Sequence, residues 1–331
     1  MLEGLQRADG VGDGRPPSIL DAIGGSPLVE VEDGIFAKVE FLNPSGSIKA
    51  RIAKYMIERA EIEGLLEPGM TIVEASSGNT GNAMSMVAAV NGHPMIVMMP
   101  GGMSSARLAI SRAFGAEVRE IGDFHVNDAL VAAKELGQVK GYYSPGQFES
   151  EWNVDENRTW LGPEIVAQLT SERLPDALVM GVGTGGTLIG VGQAFLEVNP
   201  KAMVVGVEPD ESCTILCGEV HHHQIEGISD GFIPTIYHRH HHLVDEVLPV
   251  TSADALVAMY EIARNQGMFV GPSSGANLVA CRRLKTMYPK LKTIVTLFCD
   301  EGEKYVGEYF LADVPLRGGK AGLIGELERG S

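Results

Sequence analysis

Short aliphatic segments alternate with longer helix-like segments along most of the chain. The aliphatic segments are TIVEA (71–75), MIVMM (95–99), ALVMGV (177–182), AMVVGVE (202–208) and TIVTLF (293–298). Residues 82–91 and 106–115 follow the first two and carry apolar side chains at helical spacing. Because continuous aliphatic strands joined by helices are typical of parallel sheets covered on both faces, the sequence predicts an α/β fold.

A polar stretch separates two sets of strand and helix patterns. The residues QFESEWNVDENRTW (147–160) contain both tryptophans of the chain and interrupt the aliphatic pattern. Since domain boundaries fall in polar segments between hydrophobic cores, we predict a boundary in this stretch.

Composition excludes several classes of function. The chain of 331 residues carries 26 basic and 43 acidic side chains, and it has no run of Lys or Arg that could neutralise a phosphate backbone. We therefore expect no nucleic-acid partner. Because no apolar stretch reaches the roughly 18 residues of a membrane span and residues 1–17 lack an apolar signal core, we expect a cytoplasmic protein with a flexible leader. The four cysteines form neither a disulfide framework nor a zinc-site pattern, and we expect no metal.

Three turns rich in small residues follow predicted strands, where the ligands of open α/β sheets bind. SSGNTG (76–81) offers backbone N–H groups at a helix start, which suit a carboxylate or another anion. GVGTGGT (181–187) suits a phosphate, and VGPSSGAN (270–277) is a third turn from strand to helix. Each turn taken singly also fits a purely structural role, so only the three turns together indicate a shared binding site.

The second turn also fits a different class of enzyme. Gly181, Gly183 and Gly186 match the dinucleotide pattern G-x-G-x-x-G, and Glu208 ends the next strand where a ribose-binding acid would lie. A nicotinamide dehydrogenase therefore stays open at this point. A small-molecule binding protein without catalytic activity is a further alternative.

Lys49 favours a third class of protein, an enzyme that uses Schiff-base chemistry. It lies in NPSGSIKAR (43–51), a turn-rich setting that is unusual for a solvated surface lysine. A lysine amine forms Schiff bases with carbonyl compounds, and an aldehyde cofactor that bears one phosphate needs one phosphate-binding turn. A dehydrogenase needs no such lysine, so the combination favours Schiff-base chemistry.

These motifs, in this order, resemble the fold-type-II pyridoxal-phosphate enzymes of the cysteine synthase and cystathionine β-synthase family. The resemblance runs from IGGSPLVEV (23–31) to GEKYVGEYF (302–310). It implies a homodimer whose subunits have two doubly wound domains with mainly parallel sheets, and pyridoxal 5'-phosphate in the cleft between the domains. The implied segments are a leader (1–17), a smaller domain (43–152), a larger domain (18–42 and 153–317) and a tail (318–331).

The resemblance also implies the roles of individual residues. Lys49 would form the Schiff base with the cofactor, Asn79 would hydrogen-bond its phenolic oxygen, and Ser273 would face its pyridine nitrogen. The residues implied at the cofactor phosphate are Gly183, Thr184, Gly185, Gly186 and Thr187. The residues implied at the substrate carboxylate are Ser76, Ser77, Thr80 and Gln147.

The implied reaction is β-replacement on serine or an activated serine, either O-acetylserine or O-phosphoserine. After Lys49 removes the Cα proton, the β-substituent would leave and an aminoacrylate intermediate would remain. Sulfide would then add to this intermediate to give L-cysteine. Cystathionine synthesis and cysteine desulfhydration use the same intermediate and stay open as alternatives. A phosphate leaving group would need a nearby cation, and the sequence alone does not place Arg51, Arg107 or Arg239.

Several segments depart from the family pattern. Ala50 replaces an acid, ESEWN (149–153) replaces a common Asn-Pro-Ala-Asn, and CDEGEKY (299–305) replaces Pro-Asp-Ser-Gly-Glu-Arg-Tyr. These changes leave the donor and acceptor substrates open, since several of them fall near the implied substrate pocket.

Histidines are concentrated around IEGISDGFIP (225–234), a segment that resembles the mouth of the family's active site. We interpret HHH (221–223) and HRHHH (238–242) as polar loops, because they lack the fixed spacing and the acidic partners of a metal site. Asp230 is either a residue of the pocket mouth or a solvated acid in a turn.

Overall fold

The computed structural model describes residues 17–103, 105–123, 126–169 and 173–310. The predicted tail and nearly all of the predicted leader lie outside these residues. The strands are β1 (Leu28–Glu32), β2 (Ile35–Val39), β3 (Thr71–Ala75), β4 (Met95–Pro100), β5 (Glu117–Ile121), β6 (Tyr142–Tyr143), β7 (Ala177–Gly181), β8 (Met203–Pro209), β9 (Glu246–Val250) and β10 (Ile294–Phe298). The α-helices are α1 (Lys49–Ile62), α2 (Asn79–Asn91), α3 (Ser105–Ala113), α4 (Val126–Gly137), α5 (Glu151–Glu156), α6 (Gly162–Gln168), α7 (Gly186–Val198), α8 (Thr235–His240), α9 (Ser252–Gln266) and α10 (Pro272–Met287).

The larger sheet has six strands in the order β1-β2-β10-β7-β8-β9. β1 and β2 form an antiparallel pair, and the remaining neighbours are parallel. Every residue of the central strands β7 and β10 is buried, which explains why both read as continuous aliphatic runs. Successive side chains point to opposite faces, so Val179 and Val205 belong to one core while Leu178 and Val204 belong to another.

The smaller sheet has four parallel strands in the order β5-β4-β3-β6. Ile72 and Val97 pack into a core with the apolar residues of α1 and α2, while Val73 and Ile96 pack on the opposite face with residues of α4. Both sheets are thus covered on two faces. The predicted α/β fold with mainly parallel sheets is confirmed.

The predicted boundary stretch, 147–160, is largely helical. It contains α5 and the start of a π-helical turn, Asn157–Leu161, that joins α5 to α6. Asn153, Glu156 and Asn157 are buried there despite their polar side chains. The chain passes here from the smaller sheet to the larger one, and the domain bounds given above stay a prediction.

The carboxyl ends of β3 and β7 each continue through a glycine-containing turn into a helix, α2 and α7 respectively. These turns carry the residues that the sequence predicts for substrate and phosphate. Among the described residues, the structure contains no helix that is long and apolar enough to cross a membrane.

Candidate active site

Lys49 is the first residue of α1, and the turn before it is fixed to the larger sheet. Gly46 in this turn has a φ of +67°, a left-handed conformation that glycine adopts without a Cβ clash. The backbone N–H of Ile48 donates to the carbonyl of Cys299, 2.8 Å away, just beyond β10. The start of α1 therefore lies beside the end of β10, and Lys49 lines the cleft there.

Two adjoining cavities make up this cleft, and both are lined by Lys49 and Asn79. The first cavity contains other residues predicted for the cofactor, namely Gly183, Thr184, Gly185, Thr187 and Ser273. The second contains all the residues predicted for the substrate carboxylate, namely Ser76, Ser77, Thr80 and Gln147. The structure thus brings the two predicted groups together on either side of Lys49.

The predicted phosphate turn is closely packed and uncharged. A Cβ atom at Gly183 would lie 2.7 Å from the carbonyl oxygen of Gly227, so the backbone approaches more closely than a side chain permits. Gly185 has a φ of +87° and directly precedes Gly186, the first residue of α7. Gly186 itself faces the Asn153 side chain and does not line the first cavity. The N-terminal N–H groups of α7 make this turn suitable for a phosphate.

Asn79 has its carboxamide fixed by two charged residues. Its Nδ2 donates to Asp300 Oδ2 at 2.7 Å, and its Oδ1 accepts from Lys304 Nζ at 3.0 Å. Lys304 is buried and also donates to the carbonyl of Ser45 at 2.9 Å, and burial lowers the pKa of its amine. A primary amide has two N–H protons, so one proton on Asn79 Nδ2 remains for a ligand oxygen.

Ser273 lies in the first turn of α10, buried against the first cavity. This helix is attached to two central strands through Asn277, which accepts from the backbone N–H of Gly181 and donates to the carbonyl of Leu297, both at 2.9 Å. The hydroxyl of Ser273 is therefore held on a rigid element.

Ser76 shapes the turn between β3 and α2. Its Oγ accepts hydrogen bonds from the backbone N–H groups of Gly78 and Gly81, at 3.0 and 2.9 Å. Because both bonds use the oxygen as an acceptor, the Ser76 hydroxyl proton remains available to a substrate carboxylate. Ser77 projects toward Asp230, with 3.5 Å between its Oγ and Asp230 Oδ1.

Gln147 is held by three contacts at the edge of the second cavity. Its Oε1 accepts from Thr80 Oγ1 at 2.6 Å, and its Nε2 donates to the carbonyl of Ala75 at 2.7 Å. Its backbone N–H donates to Glu74 Oε2 at 3.1 Å. Glu74 is fully buried, and burial raises the pKa of its carboxyl to about 7 although backbone N–H groups stabilise the charged form.

Asp230 lines the second cavity, so the structure favours the pocket-mouth interpretation over a solvated turn acid. Burial raises the pKa of its carboxyl, and the positive charge of Lys49 is the strongest influence in the opposite direction. The preceding residue, Ser229, has a φ of +54°. His223 supports this backbone, since its Nε2 lies 3.1 Å from the Ser229 carbonyl oxygen.

None of the other histidines in the described part of the chain lines either cavity. His240 lies 3.0 Å from Glu151, and His241 lies against the carbonyl of His238. Within the described residues, no group of three or more His, Cys, Asp or Glu side chains could hold a metal ion.

The structure now places the three arginines that the sequence left open. Arg51 lies on the buried face of α1, and Arg239 pairs with Glu151 on the surface. Arg107 lines the second cavity and forms an ion pair with Glu226. Of these three arginines, Arg107 is therefore the one that a substrate in the second cavity would meet.

Known proteins match this chain over most of its length. Residues 19–300 match the family described as pyridoxal-phosphate dependent enzymes. The chain belongs to this family. A cysteine synthase of Staphylococcus aureus (strain Mu50 / ATCC 700699) is 37% identical over 297 residues, which cover 87% of this chain and 95% of that protein.

Solved structures of related proteins have the same architecture. The O-acetylserine dependent cystathionine beta-synthase from Helicobacter pylori has a TM-score of 0.84 at 31% identity, and the match covers 90% of this chain and 99% of that chain. A hydrogen sulfide-producing enzyme from Fusobacterium nucleatum has a TM-score of 0.81 at 35% identity, covering 88% and 98%. The fold-type-II assignment is thereby confirmed.

The first cavity of this pyridoxal-phosphate dependent enzyme fits its cofactor. The close approach at Gly183 and the start of α7 provide neutral donors for a phosphate. Within the described residues, the buried Oδ1 of Asp300 has no hydrogen-bond partner, which leaves a polar atom for a ligand in the same cavity. Lys49 supplies an amine at the boundary with the second cavity.

Glu208 does not have the role that the dehydrogenase interpretation gave it. Its carboxylate accepts from the backbone N–H groups of Ile215 and Leu216, at 2.7 and 3.0 Å, and from the Cys213 thiol at 3.3 Å. The family membership and this internal use of Glu208 leave that alternative without support.

Sequence reasoning gave no role to four residues around the site and left Arg107 unplaced. Glu74, Asp300 and Lys304 orient the predicted residues, while Glu226 pairs with Arg107 at the cavity wall. The departure noted in CDEGEKY was a signal for Lys304, whereas Asp300 matches the family pattern there, and nothing in the sequence paired Glu226 with Arg107.

Proposed function

We propose that this enzyme catalyses β-replacement on serine or an activated serine with sulfide, giving L-cysteine. The carrying observation is the position of Lys49 between a cavity suited to pyridoxal phosphate and a cavity lined by hydroxyl and amide groups. The family relatives named cysteine synthase, at 37% identity, support this choice of reaction.

The residues of the first cavity hold the cofactor in this proposal. Lys49 binds it covalently, Asn79 donates its remaining Nδ2 proton to the phenolic oxygen, and Ser273 contacts the ring nitrogen. The residues assigned to the phosphate are Gly183, Thr184, Gly185, Gly186 and Thr187. Bound pyridoxal phosphate supplies an electron-withdrawing group that acidifies the Cα–H bond of an attached amino acid.

The residues of the second cavity bind and orient the amino acid. Ser76 donates its free hydroxyl proton to the carboxylate, and Ser77, Thr80 and Gln147 complete the site. Binding there places Cα beside Lys49, whose amine takes the Cα proton. The leaving group departs with the electron pair of its bond to Cβ, and sulfide later forms the new bond to Cβ.

Two other reactions of the same site stay open. The related cystathionine beta-synthase and hydrogen sulfide-producing enzymes, at 31% and 35% identity, favour cystathionine formation or cysteine desulfhydration as second candidates. These reactions differ in leaving group and nucleophile, and Lys49 has the same task in each.

A substrate panel tests the proposal. O-acetylserine, O-phosphoserine, serine and cysteine are each supplied with sulfide or homocysteine, and cysteine, cystathionine and released sulfide are quantified. We expect cysteine from an activated serine and sulfide at the highest kcat/KM. Cystathionine or sulfide as the main product would replace the primary proposal by one of the second candidates, and no product from any pair would reject β-replacement.

We further propose that the enzyme is a homodimer, as the family resemblance implies, and that it is cytoplasmic, as the lack of an apolar signal core in residues 1–17 suggests. Light scattering coupled to size exclusion measures the mass directly. A mass near that of one 35.3 kDa chain would contradict the dimer.

A further inference from the structure

The second cavity contains one arginine, Arg107, among the described residues that line it. Its guanidinium Nη1 donates to the carbonyl of Ser77 at 3.3 Å, and its central carbon lies 5.6 Å from the ring centroid of Tyr305. A Cβ atom at Gly78 would lie 2.9 Å from Arg107 Cδ. Arg107 therefore lies directly against the turn proposed to bind the substrate carboxylate, within reach of a substituent on the same amino acid.

The positive charge of Arg107 is already paired with the carboxylate of Glu226. Its Oε2 pairs with Arg107 Nη2, and its Oε1 accepts from the hydroxyl of Tyr309 at 3.2 Å. The side chains of Arg107 and Glu226 are 10% and 26% exposed, so water screens the pair less than it screens a surface ion pair. Glu226 comes from the loop after β8, and Arg107 comes from α3, so the pair joins the two sides of the cleft.

Asp230 adds a second carboxylate to this wall of the cavity. Its Oδ1 lies 3.5 Å from Ser77 Oγ, and the positive charge of Arg107 acts on it. Glu226 and Asp230 together outnumber the one guanidinium beside the substituent, while the other cation of the cavity, Lys49, is bonded to the cofactor in the proposed function. A dianionic substituent would have to separate Arg107 from Glu226 and would then face two negative charges, whereas an uncharged substituent would disturb neither.

We infer that Glu226 is a specificity-determining residue that restricts the site to β-substituents without net charge. An acetyl ester, a hydroxyl or a neutral thiol meets this condition, and a phosphate ester does not. This inference rests on the proposed β-replacement, and it selects O-acetylserine over O-phosphoserine as the activated serine. Its structural basis is the Arg107–Glu226 ion pair at the cavity wall.

Removing the charge of Glu226 tests the inference by a gain of activity. The ratio of kcat/KM for O-acetylserine to kcat/KM for O-phosphoserine, both with sulfide, is measured in the wild type and in Glu226→Gln. Gln keeps a side-chain oxygen for Tyr309 and frees the guanidinium, so we expect the ratio to fall by about tenfold or more, as a released charge-assisted contact predicts. The absorbance of bound cofactor and the circular dichroism spectrum check that the variant is folded.

Two further variants separate this effect from a general change in charge. Glu151→Gln removes one carboxylate that pairs with Arg239 outside the cavity, and it should leave the ratio unchanged. The double variant Arg107→Met/Glu226→Gln should lose the gain toward O-phosphoserine, because the freed cation is absent. The inference is overturned if Glu226→Gln keeps the wild-type ratio, if Glu151→Gln lowers the ratio equally, or if the wild type uses both substrates equally well.

Binding measurements keep the inference distinguishable from the proposed function. If the wild type turns over neither serine nor an activated serine, the proposed function fails, and calorimetry with O-phosphoserine on the cofactor-loaded protein then measures how the cavity charge affects binding. Glu226→Gln should bind O-phosphoserine about tenfold more tightly than the wild type. Equal affinities would overturn the inference whatever the catalytic result.

Discussion

Lys49 and Arg51 lie two residues apart on α1 and face different environments, because two helical positions differ by about 200° around the axis. Arg51 is fully buried and makes four hydrogen bonds to carboxylates, two to Glu40 at 2.7 and 2.8 Å and two to Glu164 at 3.1 and 2.9 Å. Lys49, in contrast, forms no ion pair within 4.0 Å among the described residues and lines both cavities. The comparison shows that the buried charge which fixes the fold has all its hydrogen-bonding partners within the protein. The reactive lysine has no such ion pair among the described residues and remains available to ligands.

The saturated group extends beyond Arg51. Lys38 donates to Glu164 and to the Gln168 side chain, and Glu40 accepts from Ser26 at 2.5 Å. Burial is the largest single influence on the pKa of Arg51 and lowers it. The charges and hydrogen bonds of Glu40 and Glu164 together outweigh burial, so the pKa of Arg51 is raised. Burial raises the pKa of the nearby Glu156 to about 8, so this acid is mostly protonated at neutral pH. Buried charges in this region are therefore matched or neutralised.

Replacing Lys49 by alanine should have the largest effect on activity and little effect on folding. The variant loses both the covalent attachment of the cofactor and the base at Cα, and loss of a general base alone costs about 10²–10⁴-fold in rate. Borohydride treatment followed by peptide mapping should find the cofactor on Lys49 in the wild type and on no lysine in the variant.

Lys54 provides a matched control for this experiment. It lies on the same helix, and its amine donates to the carbonyl of Leu20 at 3.1 Å, away from both cavities. Lys54→Met should keep the borohydride-reducible bond. Cofactor attached to Lys38 or Lys54, or near-normal turnover in Lys49→Ala, would contradict the assignment.

Replacing Arg51 by methionine should have the opposite profile, with a large effect on stability. Breaking a buried ion pair from one side leaves Glu40 buried without its cation, which costs about 3–5 kcal/mol in the free energy of unfolding. Denaturant unfolding measures this cost. Arg59→Met is the control, because its pairs with Glu63 and Asp155 are partly exposed and contribute about 0–1 kcal/mol. Equal losses in the two variants would show that the Arg51 cluster is not a special stabilising feature.

Glu74 combines burial with a place near the site, and among the described residues no cation pairs with its carboxylate. Burial raises the pKa of its carboxyl from 4.5 to about 7, so the unfolded chain releases this proton at lower pH than the folded chain does. Its contribution to stability is therefore complete below pH 4.5. As pH rises from 4.5 to 7, the free energy of unfolding falls by roughly 3 kcal/mol.

The Glu74→Gln variant should lack this pH-dependent loss. The free energy of unfolding is measured by denaturant titration at several pH values between 4.5 and 8 for the wild type, for Glu74→Gln and for the exposed control Glu63→Gln. The difference between wild type and Glu74→Gln should change in favour of the variant as pH rises. A constant difference across this range would contradict the raised pKa.

The smallest expected effect concerns single hydrogen bonds to the substrate. Ser76→Ala removes a donor to the carboxylate, and Thr80→Ala removes the hydroxyl that orients Gln147. Each should weaken amino-acid binding by about 0.5–1.5 kcal/mol, with the larger loss at Ser76 because its oxygen also holds the turn. Spectral titration of the bound cofactor measures the affinity. Ser85→Ala is the control, since Ser85 Oγ donates to the carbonyl of Gly81 at 2.6 Å and lines neither cavity. Unchanged affinity in both test variants would remove this turn from the substrate site.

The sequence predicted the central strands well and the edge strands poorly. β3, β4, β7, β8 and β10 are buried on nearly all positions and therefore appear as aliphatic runs. β5 and β9 are mostly exposed or half-buried, and β6 has two residues, so no strong pattern marks them. β2 is buried throughout but contains Lys38, whose charge is matched by residues far along the chain.

Predictions for the site divide in the same physical way. Lys49, Asn79 and the glycine turn lie in local motifs whose backbone requirements are visible in the sequence. The Arg107–Glu226 pair and the contacts of Asn79 with Asp300 and Lys304 join residues more than a hundred positions apart. Such contacts depend on how the two sheets pack, and a single sequence does not specify that packing locally.

The order of strands in the larger sheet has a consequence for biosynthesis. β2 pairs with β10, with Ile35 opposite Ile294, so the early hairpin finds its neighbour after almost all of the described chain has been made. The strands of the smaller sheet are consecutive in sequence, and they can associate on the ribosome while the hairpin waits. Because the turn before Lys49 is fixed to Cys299, just beyond β10, the reactive lysine reaches its final position near the end of translation. A ribosome that stalls before this strand would release a chain with one folded half and no assembled catalytic centre.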